Sequence, residues 1–152
     1  MVCAAGLLAL AGCSAGPVEV AAPSPAGEAA RLCKALHAAL PGEVDGLARR
    51  ETAPASEFTA AWGDPAIVLR CGVPLPEVLR PGSGSYDPTA PAVGVEGVDW
   101  LPEKQGDDGY LFTTVGRKVN ISLRVPGHYH PHETDPLVDL APPVRKTVPT
   151  RL

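Results

Sequence analysis

Three histidines fall within five residues, His128, His130 and His132, in the run H-Y-H-P-H. Neutral imidazoles at that density are ligands for zinc or copper. The competing reading is an exposed loop after a strand, with Pro131 restricting the geometry. Cys33 and His37 stand four apart, a spacing that puts both on one face of a helix. Such a pair suits a thiolate with its base, or half a metal site, but no second close pair completes it. Asp107 and Asp108 are adjacent and point apart, which suits a turn better than an acid–base pair. The chain has no G-x-S-x-G, P-loop, G-x-G-x-x-G, HExxH or EF-hand pattern, so no catalytic residue and no cofactor is assigned. Trp62 and Trp100 suit a core. Alternatively they line a shallow binding surface with Arg70, Asp99 and Arg117 as polar partners. Trp62, beside Gly63-Asp64-Pro65, is the residue best placed in the sequence to anchor a partner.

The N-terminus carries a different chemistry. Ala4 to Ala11 is a short apolar run, and Leu10-Ala11-Gly12-Cys13 after it resembles a bacterial lipobox. In such signals the cysteine receives a diacylglyceryl group and becomes the first residue of the mature chain. Residues 1–12 then form the signal peptide and 13–27 a flexible tether. Two acyl chains hold a protein durably on a membrane. The segment lacks a basic start and is shorter than the usual 15–30 residues, so a translation start upstream of Met1 is expected. Cys3 belongs to the signal, which leaves Cys33 and Cys71 as an even pair in an oxidising compartment, predicting a disulfide. Closing a loop of that size contributes about 4 kcal/mol.

Charge narrows the partners. With 13 Lys+Arg against 17 Asp+Glu the formal net charge is −4, and no basic run is longer than Arg49-Arg50. A nucleic-acid partner is not expected, because binding needs a basic face that displaces counter-ions. Gly and Pro together supply 34 of the 152 residues, and aromatics only 5%. A small, loop-rich domain with a thin core follows, one that a covalent bridge helps to hold.

The elements that must position these residues read in order. Glu28–Leu40 has an apolar helical stripe, Ala29, Leu32, Cys33, Leu36, Ala39 and Leu40, stopped by Pro41-Gly42. A short strand is expected near Arg49–Thr52, and a central one over 66–73, carrying Cys71. Residues 80–92 read as a flexible insertion. Val93–Leu101 reads as one strand with a bulge at Gly97, Gly106–Gly109 as a turn, and Tyr110–Val115 as a strand. Gly116-Arg117 can close a tight hairpin into Lys118–Val125, where Val119, Ile121, Leu123 and Val125 alternate with polar residues facing solvent. Asp135 can cap a helix with Pro136 at its first position, which Pro142-Pro143 should break or restart. The expectation is an α+β fold: a small antiparallel sheet of about four to five strands, with an N-terminal helix and a short C-terminal helix on one face. It occupies residues 28–148 as a single domain, with 149–152 as a tail.

The lipobox belongs with R-R-E-T at Arg49–Thr52, A-A-W-G-D-P-A-I-V-L-R-C-G at Ala60–Gly72 and G-V-D-W at Gly97–Trp100. D-G-Y-L-F-T-T-V-G-R at Asp108–Arg117 and D-P-L-V-D-L at Asp135–Leu140 complete the set. In this order they look like the actinobacterial lipoproteins of domain-of-unknown-function family 3515. The resemblance spans about residues 28–148, while the histidine run departs from the pattern. It implies a cell-envelope location and carries over no catalytic residues. Genes of that family often neighbour one for D-alanine–D-alanine ligase, an association with cell-wall biology. The expectation is a secreted protein, lipid-anchored at Cys13 on the outer face of the cytoplasmic membrane. It acts as a non-enzymatic accessory or binding module for an envelope protein or cell-wall component. The alternatives are an enzyme of cell-wall metabolism and a minor metal-binding role for the His128–His132 loop.

Overall fold

A computed structural model describes residues 15–152. Residues 1–12, read above as a signal with Cys3, and Cys13, read as the lipidation residue, lie outside the described residues. The chain forms an α+β fold in which two helices accompany an eight-stranded antiparallel sheet, larger than the four to five strands expected. The sheet is two meanders joined at their last strands. One runs β2 (Glu43–Val44), β3 (Leu47–Arg50), β5 (Thr59–Trp62) and β6 (Ile67–Cys71). The other runs β7 (Val93–Val95), β8 (Val98–Lys104), β9 (Tyr110–Thr114) and β10 (Ile121–Val125). Strands β6 and β10 meet at the seam, with Cys71 opposite Ile121 and Leu69 opposite Leu123. The extra strands were hidden because most are two to four residues long, too short for a period-two pattern to register.

Alternation along the strands sends Ala60, Trp62, Ile67, Leu69, Cys71, Ile121, Leu123, Val125, Phe112 and Trp100 into the core. Helices α1 (Gly27–Ala39) and α2 (Asp135–Thr147) pack against each other, and α2 also touches β2, β7 and β8. The stripe read from the sequence is the buried face of α1, with Leu32, Cys33 and Leu36 inside. The helix is not the first element, because the two-residue strand β1 (Val18–Glu19) precedes it. Cys33 and Cys71 form a disulfide with Cα atoms 5.6 Å apart, pinning α1 to the central strand. Its 38-residue separation places its stabilisation near 4 kcal/mol in the loop-entropy model.

Several local expectations are corrected. The described part of the presumed tether is docked: β1 pairs in parallel with β4 (Thr52–Ala53), Val20 is buried, and Arg70 Nε donates to Ala21 O. Gly72, at φ +90°, lies so close to the Pro25 ring that any side chain there would collide with it. The strand expected over Val93–Leu101 is a hairpin, since Glu96 and Gly97 both have positive φ and form the turn, not a bulge. Strand β10 starts at Ile121, so Gly116-Arg117 does not close a tight hairpin; residues 115–120 make a longer connection. Ser122 is buried, not solvated. Helix α2 runs through Pro142 and Pro143. Their missing donors are tolerated because Leu137, Leu140, Ala141, Val144 and Val148 are fully buried on both sides of the pair, and packing outweighs the lost bonds. Thr134, not Asp135, holds the N-cap position. Residues 149–152 do not hang free: Thr150 bridges Arg117, and Arg151 N donates to Gly116 O. Residues 80–92, expected as a flexible insertion, form a run of mostly exposed turns in which Asp87 N donates to Val78 O and Tyr86 N to Ser83 O.

Candidate functional site

The residues proposed as one binding surface are not brought together. Trp62 and Trp100 are fully buried on the helix side of the sheet, in different meanders. Arg70 and Asp99 alternate to the opposite side, Arg70 three residues from Ile67 and Asp99 next to Trp100. Arg117 is buried, with Nη1 donating to Val148 O at 3.0 Å and Nη2 to Gly97 O at 2.8 Å. It ties α2 to the β7–β8 turn and presents nothing to a ligand.

The histidine run does not converge either. His128 lies in a single helical turn, Gly127–Tyr129, with its ring edge-on to Tyr129. His130 faces Glu133 at 3.4 Å and His132 faces Asp135 at 3.2 Å, so each imidazole turns to its own carboxylate. Among the described residues no group of three His, Cys, Asp or Glu side chains is placed to hold a metal ion. Cys33, in its disulfide, has no thiol to offer His37.

A cleft that these expectations passed over forms around β3. Strand β2 pairs with Leu47 and Ala48, Arg49 N donates to Gly42 O just before it, and Glu51 O accepts from Val18 N, so β3 passes here from β2 to the N-terminal segment. Arg49 lies opposite Trp62 and Arg50 opposite Ala61, and alternation sends the two guanidiniums to opposite sides. A cavity of about 420 Å³ is lined by Arg49 with His37 of α1 and the hydroxyl residues Thr52, Ser56 and Thr59. A neighbouring groove of about 490 Å³ shares Arg49, Arg50 and Glu51 and is walled by Ala15, Gly16 and Pro17.

The two arginines differ in how they are held. Arg50 Nη1 donates to Gly63 O at 2.8 Å and Nη2 to Gly16 O at 2.6 Å, and Asp64 lies 3.7 Å away. Its Nε is buried without a partner. Arg49 sits over the Trp62 ring, 5.8 Å from its centroid, and Nη1 reaches Leu40 O at 3.4 Å, just past the end of α1. Trp62 is fixed in turn by its indole N–H, which donates to Pro41 O at 3.1 Å. Among the described residues no carboxylate lies within 4.0 Å of Arg49. Burial lowers its pKa. Burial also holds His37 below the ordinary imidazole value, with the charge of Arg49 adding to the effect and Glu57 opposing it. The cleft therefore holds a partly desolvated cation beside a neutral imidazole.

The signal in the sequence was Arg49-Arg50, the one Arg-Arg pair in a chain of net charge −4. It pointed to the site but could not show that one of the two lacks a counter-ion, since that depends on where β2 and α1 stop.

A family model described as a protein of unknown function, DUF3515, matches residues 1–152. No curated protein and no solved structure matches the chain.

Proposed function

The chain belongs to this family of unknown function, and we propose that it is a lipid-anchored, extracytoplasmic binding module whose ligand site is the β3 cleft. The lipobox-like Leu10–Cys13 supports the anchor, and the Cys33–Cys71 disulfide supports an oxidising compartment. Among the described residues no helix is long and apolar enough to cross a membrane, so attachment in this reading rests on Cys13.

The observation that carries the binding role is Arg49. A guanidinium held against Trp62, lowered in pKa by burial and lacking a carboxylate partner, is poised for an anionic group from outside the chain. An envelope protein or a cell-wall component bearing such a group is the partner class this reading admits. Intact-mass measurement of the protein from its membrane tests the anchor. The expected species begins at Cys13 and carries a diacylglyceryl group, and C13S should leave the chain unprocessed and unacylated. A wild-type chain retaining residues 1–12 without lipid would overturn the anchored reading.

A further inference from the structure

The donors around Arg49 are arranged for more than a planar carboxylate. Among the described residues, Nη1 alone of its guanidinium nitrogens has a hydrogen-bond partner, the long contact to Leu40 O. Ser56 Oγ accepts the Phe58 N–H at 3.0 Å, which leaves its own hydrogen free to donate. Thr52 and Thr59 share a hydrogen bond at 3.0 Å, and one of their two hydroxyl hydrogens stays unused whichever donates. The cavity is lined by Arg49 of β3, by hydroxyl residues of β4, β5 and the loop between them, and by His37 of α1. Donors on three sides match a tetrahedral oxyanion, whereas one guanidinium fork already satisfies a carboxylate.

Other charges facing the cleft do not cancel this. Glu51 is exposed at the rim, Asp64 is exposed beside Arg50, and Glu57 is tied to Lys34 at 3.4 Å. These carboxylates are solvated and screened, while Arg49 and Arg50 are the half-buried charges.

The position of the cleft is also defined. Its second groove is walled by Ala15, Gly16 and Pro17, and Arg50 Nη2 holds Gly16 in place. Two peptide units separate Ala15 from Cys13, a reach of at most about 7 Å. An anchor at Cys13 would set the mouth of this cleft at the lipid surface.

We infer that the β3 cleft is a phosphate-type oxyanion site centred on Arg49, facing the membrane and taking the phosphate of a lipid headgroup or of free phosphate. Its facing direction rests on the anchored reading of Cys13; the oxyanion chemistry does not.

The test is a nitrogen-15 NMR titration of the full chain carrying C13S, so that no acyl chain contributes. Inorganic phosphate is one titrant. Dihexanoyl phosphatidylglycerol and dihexanoyl phosphatidylcholine, both below micelle concentration, are the others. Saturable shifts centred on His37, Arg49, Thr52 and Ser56 are expected with phosphate and with phosphatidylglycerol. R49Q should weaken binding about tenfold or more, and R49K by less, since the charge stays and only the fork is lost. Binding of phosphate without phosphatidylglycerol would overturn the lipid headgroup as the source and keep the oxyanion site. No saturable shift at these residues with any titrant, or unchanged binding by R49Q, would overturn the site. If R49Q does not fold, R49K and S56A carry the same test, and binding unchanged in both overturns the site. A wild-type chain found unacylated by mass would remove the membrane-facing part alone.

Discussion

In the meander ending in β6, Trp62 donates its indole N–H to Pro41 O, and Arg49 lies against its ring without a carboxylate. In the meander ending in β10, the indole N–H of Trp100 is buried with no partner, and the nearby Arg117 spends its donors on two carbonyls. Each half of the fold thus sets a buried tryptophan near a buried or half-buried arginine, Trp62 with Arg49 and Trp100 with Arg117, with the satisfied and unsatisfied partners exchanged. Where carbonyls consume the guanidinium it is a clasp between elements. Where they do not, a charge remains for something outside the chain. A third cavity, of about 410 Å³ between Lys104 and His130, shows the same contrast. Its charges are paired internally, Arg124 with Asp107 and Lys104 with Asp108, so little is left over.

The sharpest way to break this comparison is to truncate both arginines. Arg117→Ala leaves the carbonyls of Val148 and Gly97 without their donor and opens space beneath α2; it is expected to cost about 2–4 kcal/mol. Arg49→Ala loses a long hydrogen bond and a stacking contact, an expected cost of about 1 kcal/mol. Urea unfolding of both variants measures the difference. Equal losses would make Arg49 a structural clasp as well, and the cleft would lose its case.

A smaller effect separates the tryptophans. Trp62→Phe and Trp100→Phe remove similar volume from fully buried sites. Only the first also breaks a hydrogen bond and strands the Pro41 carbonyl. Trp62→Phe is therefore expected to cost about 1 kcal/mol more than Trp100→Phe in the same unfolding measurement. A reversed order would mean that the Trp100 N–H has a partner in solution, and the two halves would then be alike.

The same contrast explains what was legible in the sequence. The apolar stripe of α1, the paired Cys33 and Cys71, and the strands carrying Leu69 and Leu123 are patterns of burial, and burial repeats with a period. The docking of residues 16–22 was not legible, because its own backbone supplies most of the contacts, pairing with Thr52 and Ala53 and accepting from Arg50 at Gly16 O and from Arg70 at Ala21 O. The continuation of α2 through Pro142-Pro143 is a tertiary override of a strong local rule. Arg70, Asp99 and Arg117 were grouped with the tryptophans by residue type, whereas alternation sets Arg70 and Asp99 on the face opposite Trp62 and Trp100, and the connection after β9 buries Arg117. Arg49 was missed because the role proposed for it rests on the lack of a carboxylate neighbour among the described residues, which only the assembled fold shows.

The smallest effect tests the comparison through protons. Burial lowers the pKa of His37 at the β3 cleft and raises that of Glu103 on β8. The unfolded imidazole titrates near 6.5, so as pH falls below that value the unfolded chain takes up a proton before the folded one does. The stability held by neutral His37 is thus fully present above pH 6.5 and is lost as pH falls toward its lowered folded value. Glu103 acts with the opposite sign. Below its unfolded value of 4.5 both states are protonated, and as pH rises from there toward its raised folded value the half-buried carboxylate increasingly opposes folding. Between those limits the two halves of the sheet therefore push the stability curve in opposite directions. Stability measured in steps from pH 4 to 8 should lose part of its rise toward pH 6.5 in His37→Gln, and part of its fall above pH 4.5 in Glu103→Gln. A bound oxyanion adds one further consequence at the cleft alone, because a negative charge beside His37 favours its protonated form. Saturating phosphate should shift the His37 titration upward by NMR and leave that of Glu103 unmoved; equal movement of both would show a general salt effect in place of a site.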